Sequence, residues 1–96
     1  MKSENESLIA AAEIGGAAAE IDLHGWRPEQ ACYELDIFLS QAQARGERVA
    51  RIIHGRGSGR LRQEVLDFLK NNQSVEYYRG SDEPAEIGGV IYAILR

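Results

Sequence analysis

The sequence predicts an α/β fold: a two-layer βαβαββ sandwich in which a four-stranded mixed sheet carries two helices on one face. Three observations predict it. Residues 28–45 and 61–69 repeat apolar side chains at helical spacing. Short β-branched or aromatic runs at 21–23, 49–53, 75–79 and 90–95 alternate with them. Gly, Pro, Asn and Asp punctuate the joins. Strand–helix–strand crossovers are right-handed, so both helices fall on one face and the first three strands run parallel, with a final hairpin adding an antiparallel strand.

Residues 1–19 are polar and then Ala/Gly-rich without sustained periodicity, which reads as a flexible N-terminal arm with a short helical piece around Leu8–Ile14. The ordered domain is expected over 20–96. Ile21-Asp22-Leu23 is the first strand, ended by His24-Gly25. Pro28 suits the first turn of a helix and Glu29 suits its positive end. Ala31, Leu35, Phe38, Leu39 and Ala42 line one side of that helix, with Cys32 beside them as core packing, and Gly46 stops it. Val49–Ile53 lacks clean alternation, as a strand buried on both faces does. Leu61, Val65, Phe68 and Leu69 mark the second helix, which ends at Asn71-Asn72. Val75–Arg79 is the third strand, 81–84 is turn chemistry, and Val90–Leu95 is the fourth strand.

A chain of 96 residues, 44% apolar and 27% charged, fits one globular domain. It has no apolar run near the ~20 residues that span a bilayer and no secretory signal pattern, so the expected setting is cytoplasmic, without a membrane partner. One cysteine excludes an internal disulfide and a Cys-based zinc site. The net charge of −4 is unevenly spread. Residues 45–62 hold six Arg against Glu47 alone, while residues 1–44 hold two basic and eight acidic side chains. A local basic patch decides where a polyanion docks, so nucleic acid is the expected partner, the alternative being that Arg45, Arg48 and Arg51 merely solubilise a helix end and a strand.

The stretch IIHGRGSGRLR, residues 52–62, carries most of the chemistry. Residues that follow parallel strands gather at one sheet edge, so His24 and His54 should be neighbours. Asp22 and His24, two apart on an extended segment, leave the same face. Gly55-Arg56-Gly57-Ser58-Gly59 can turn backbone N–H groups toward a phosphate, with the positive end of the next helix behind them. Arg56, Arg60 and Arg62 supply charge. Trp26 either stacks on a base or covers the first helix; Tyr77, Tyr78 and Tyr92 read as sheet packing. The result is a phosphate-holding site beside groups that move protons. A dinucleotide fingerprint would need Gly where Arg60 stands, and a nucleotide P-loop would need Gly-Lys-Ser/Thr where the chain has Gly59-Arg60-Leu61.

Ile21-Asp22-Leu23-His24-Gly25 resembles the Leu-Asp-Leu-His-Gly motif of the Smr (small MutS-related) domain, and His54-Gly55-Arg56-Gly57-Ser58-Gly59 resembles its His-Gly-x-Gly-x-Gly motif, followed by Leu61-Arg62. The resemblance runs from about Glu20 to Arg96. It implies a fold like the C-terminal domain of a translation initiation factor, and an endonuclease that nicks DNA in recombination or mismatch processing, or cleaves mRNA on stalled ribosomes. It implies Asp22, His24 and His54 as catalytic positions, and Gly55, Gly57 and Gly59 as the loop that meets the backbone. A larger MutS-like chain or the ribosome is the implied partner. The chain departs from the family before its last strand, where Glu86-Ile87-Gly88-Gly89-Val90-Ile91 lacks the Thr of a Gly-x-Thr turn and has Asp82 and Glu83 upstream. Three functions stand open: a phosphodiesterase, a non-catalytic nucleic-acid-binding module using the same loop, and a small phosphometabolite enzyme. Mg²⁺ or Mn²⁺ is the cofactor considered, although one Asp with two His is too sparse a set to name a metal.

Overall fold

The computed structural model describes residues 3–96, with elements α1 (Glu4–Glu13), β1 (Ala19–Asp22), α2 (Pro28–Ala44), β2 (Val49–Ile53), α3 (Arg60–Lys70), β3 (Val75–Gly80) and β4 (Val90–Leu95). The sheet order is β1-β2-β4-β3, with β1 parallel to β2 and β4 antiparallel to both of its neighbours. β1, β2 and β3 therefore point the same way, as right-handed crossovers require. The final hairpin returns β4 into the middle of the sheet.

The central place of β4 follows from its composition. VIYAIL is buried at every position, and a strand apolar on both faces needs cover on both. Ile91, Ala93 and Leu95 pack with Leu35 and Leu39 of α2 and with Val65 and Leu69 of α3. Val90, Tyr92 and Ile94 pack with Ile9 and Ala12 of α1. The expected two-layer core is present, and α1 adds a partial third layer.

The N-terminal segment differs from the arm expected over residues 1–19, the first two of which lie outside the described residues. Ser3 caps a ten-residue helix, its hydroxyl accepting from the Glu6 N–H at 3.2 Å. Ile9 is fully buried. Ion pairs finish the docking: Arg79 on β3 meets Glu6 and Glu13 of α1, each at 3.0 Å. Tyr77 donates to Glu6, and the Ser81 hydroxyl and the Asp82 N–H donate to Glu13. No helix among the described residues is long and apolar enough to cross a membrane.

Candidate catalytic cleft and nucleic-acid interface

Parallel pairing brings the two histidines together. Asp22 is in register with Ile53, and the Leu23 N–H donates to the Ile53 carbonyl at 2.7 Å. His24 and His54 therefore leave adjacent strand ends. Gly55 confirms the closeness: a Cβ on it would lie 3.1 Å from the His24 Cβ, and its φ of +82° is one that favours glycine. His24, His54, Trp26, the glycine loop and the start of α3 enclose a cleft of about 370 Å³.

Within it the two histidines differ. His24 is exposed, and its Nδ1 lies 2.6 Å from Asp22 Oδ1, which also accepts the His24 backbone N–H at 3.1 Å. These bonds, the ring bond foremost, hold the Asp22 carboxyl below the usual carboxylate range. A carboxylate only accepts, so Nδ1 carries a proton and Nε2 is the nitrogen that faces away from Asp22. His54 is 4% exposed, and neither ring nitrogen has a partner among the described residues. Burial holds His54 below its ordinary value against the opposing pull of the Gly55 backbone, with the charge of Arg62 adding a smaller push the same way as burial, and this favours the neutral ring.

The loop and α3 supply an anion seat. Gly59, at φ +92°, is the helix N-cap and brings no side-chain cap, and the first turn holds no acidic residue. The Gln63 N–H is the first to reach back, to the Gly59 carbonyl at 3.0 Å, so the earlier N–H groups and the positive end of the helix are open to an anion. Ser58 Oγ is only a long partner, 3.4 Å from the Arg60 N–H. Arg60 and Arg62 are exposed, with no ion pair among the described residues. Trp26 lines the cleft and is 41% exposed.

Other expected features are placed elsewhere. The Gly55 N–H is spent on the Gly89 carbonyl at 3.1 Å, and Arg56 donates to the Ile87 and Ala85 carbonyls. Arg45 and Arg48 sit before β2, at its far end from the loop, and Arg51 is paired with Glu20 and Glu86. The six arginines thus do not form one patch. Tyr92 is fully buried and Tyr77 is held by Glu6, as packing roles require. Cys32 is half-buried rather than in the core, with its Sγ 3.9 Å from the Glu64 carbonyl. The acidic turn before β4 is less negative than its sequence suggests. Burial works to raise Glu86, and hydrogen bonds from Arg51, Ser81 and Tyr92 outweigh it, so this carboxylate is neutralised behind the cleft. The same turn, through Gly89, walls the loop, a role for which the sequence offers only the Gly88-Gly89 pair as a signal. Among the described residues no group of three His, Cys, Asp or Glu side chains is placed to hold a metal.

Comparison with known proteins identifies the family and the fold. The family model for the Smr domain matches residues 21–96. The chain is 43% identical over 93 residues to the endonuclease MutS2 of Maridesulfovibrio salexigens, covering 91% of this chain and 12% of that protein. It is 35% identical over 95 residues to the endonuclease MutS2 of Streptococcus agalactiae, covering 99% of this chain and again 12% of the relative. The chain therefore spans about an eighth of the length of these curated relatives. The crystal structure of the Smr domain of Thermus thermophilus MutS2 matches with a TM-score of 0.78 at 35% identity, over 82% of this chain and 99% of that one. YdaL, a stand-alone small MutS-related protein from Escherichia coli, shares the fold with a TM-score of 0.76 at 24% identity, over 100% of this chain and 79% of its own. The chain belongs to the Smr domain family.

Proposed function

We propose that this domain binds a nucleic-acid strand along the glycine loop and cuts a phosphodiester bond in the cleft. The observation that carries the reading is the pairing of an Asp22-oriented His24 with a buried, unpartnered His54 beside an uncapped helix N-terminus. The relatives named endonuclease support it. A cytoplasmic setting, and a larger MutS-like chain or the ribosome as the partner that presents the strand, belong to the same proposal.

The residues divide the work. His24 Nε2, facing away from Asp22, takes the proton of the nucleophile, which is water for DNA or the neighbouring 2′-hydroxyl for RNA. The new O–P bond forms as the opposite P–O bond breaks, and the leaving oxygen takes a proton from water. Asp22 steadies the imidazolium that His24 becomes. His54, its ring nitrogens buried, backs the wall of the cleft beside His24, and the N–H groups at the start of α3, with Arg60 and Arg62, offset the charge that builds on the non-bridging oxygens. Mg²⁺ and Mn²⁺ favour several oxygen ligands, whereas no carboxylate is among the residues lining the cleft and that of Asp22, next to His24, has its Oδ1 committed to that ring. The residues do not fit a resident divalent ion, and no step is routed through one.

Cleavage of labelled single-stranded RNA, duplex DNA and branched DNA, with and without Mg²⁺ or Mn²⁺, tests the proposal. His24→Ala and Asp22→Asn should each lose about 100-fold or more in turnover and keep most of the affinity, because a contact made only in the transition state leaves ground-state binding alone. A wild-type protein that binds these substrates and cuts none would overturn the enzyme and leave a non-catalytic binding module.

A further inference from the structure

The turn between β3 and β4 holds none of the expected site residues, yet it is stitched to the glycine loop at four points. The His54 and Gly55 N–H groups both donate to the Gly89 carbonyl, at 2.9 and 3.1 Å. From the loop, Arg56 Nε donates to the Ile87 carbonyl at 3.0 Å and Nη2 to the Ala85 carbonyl at 2.9 Å. The Arg56 stem lies across Gly89, where a Cβ would sit 3.4 Å from Arg56 Cγ. The turn is itself anchored: the Glu86 carboxylate accepts from Arg51, Ser81 and Tyr92, and the Glu86 and Ile87 N–H groups both donate to the Glu83 carbonyl at 2.9 Å.

A guanidinium recognises phosphate with the paired N–H groups of its planar fork. In Arg56 the Nε–Nη2 edge is already engaged by two carbonyls of one turn, so a phosphate could be met only from the Nη1 side, with the side chain held where the turn places it. Arg60 and Arg62 have no such commitment. The two bonds from the side chain also lie directly after His54 in the chain, and they reinforce the two backbone bonds that His54 and Gly55 make to the same turn.

The geometry points to Arg56 as a positioning residue rather than a phosphate ligand: it clamps the glycine loop to the β3–β4 turn and thereby fixes His54 and the loop N–H groups for the reaction. This role rests on the reading of the cleft as a phosphodiester site, although the clamp can be tested without it. Lysine keeps the charge and loses the fork, so Arg56→Lys separates the two roles.

In the free Arg56→Lys protein, amide exchange at Gly55, Ile87 and Gly89, whose N–H groups are hydrogen-bonded across the loop and turn, should quicken about tenfold, the equivalent of one lost hydrogen bond. With labelled single-stranded RNA and a DNA duplex, its kcat should fall about tenfold while the slope of log affinity against log salt stays that of the wild type. Arg56→Ala should also keep that slope, because no phosphate contact is lost. A slope shallower by about one unit in Arg56→Ala overturns the clamp, as does an Arg56→Lys variant with unchanged exchange. Should the wild type bind without cutting, the proposed function fails on its own; exchange and salt slope then still decide the clamp, which stands if exchange quickens at constant slope and falls otherwise.

Discussion

Gly55 and Gly57 are two residues apart in one loop and answer to different constraints. Gly55 combines a φ of +82° with a side-chain position 3.1 Å from the His24 Cβ. Alanine there meets both the left-handed backbone cost of about 1–2 kcal/mol and a neighbour that must give way. Gly57 has no positive φ, and a Cβ on it would find nothing within 4 Å. Gly55→Ala should therefore lose about 1–2 kcal/mol of stability and push His24 out of place, whereas Gly57→Val should unfold at the wild-type temperature and bind nucleic acid poorly, its side chain standing in front of the loop. Thermal unfolding and a binding titration of both variants check this, and a well-folded Gly57→Val that binds normally would reduce the loop to a plain turn. Alternate glycines are legible in the sequence as a loop meant for close approach. Which glycine touches what is not, because φ and the distance to His24 depend on how β1 and β2 pair.

Helix α1 shows the same limit at the level of an element. Its signals are present in the sequence: Ser3-Glu4-Asn5-Glu6 is a capping-box pattern, and the unbroken apolar run of β4 asks for cover on a second face. Ala-rich, weakly periodic sequence hid both, since α1 docks mainly through Ile9, Ala12 and the charges that meet Arg79. Hydrogen bonds from Arg79, Asp82 and Ser81 outweigh burial and hold the Glu13 carboxyl at about 2, down from an ordinary 4.5. A depressed carboxylate stabilises fully above its unfolded value, so α1 should stay docked above about pH 4.5 and be released as pH falls through about 2. Arg79→Ala should cost about 2 kcal/mol of α1 protection at neutral pH, the worth of hydrogen bonds to a charged group, and should move the acid release upward. Amide exchange at Ile9 and Ala12 across pH measures both, and unchanged protection in the variant would mean that Val90, Tyr92 and Ile94 hold the helix unaided.

Over the whole molecule, the strand directions and the meeting of the Asp22-His24 and His54 segments at one sheet edge could be read from two motifs and a crossover rule, but the central place of β4 and the distribution of charge could not. Six arginines between 45 and 62 look like one patch because they are close in sequence. The sheet separates them. The five residues of β2 stand between Arg48 and the loop, a span of about 17 Å in a strand, which exceeds the screening length of about 10 Å at 0.1 M salt. Arg51 is already neutralised by Glu20 and Glu86, and Arg48 lies 3.7 Å from Glu4. In a chain of net charge −4, attraction for a polyanion then falls mainly to Arg60, Arg62 and the start of α3. Arg60→Ala with Arg62→Ala should flatten the slope of log affinity against log salt by about 1.5 units, two contacts at 0.7 to 0.9 each, while Arg45→Ala with Arg48→Ala should leave it unchanged. Affinity measured from low to moderate salt on both double variants distinguishes them. Equal flattening would mean that the strand wraps past the end of β2, and that the cleft at the top of the sheet is only one stop along a longer track.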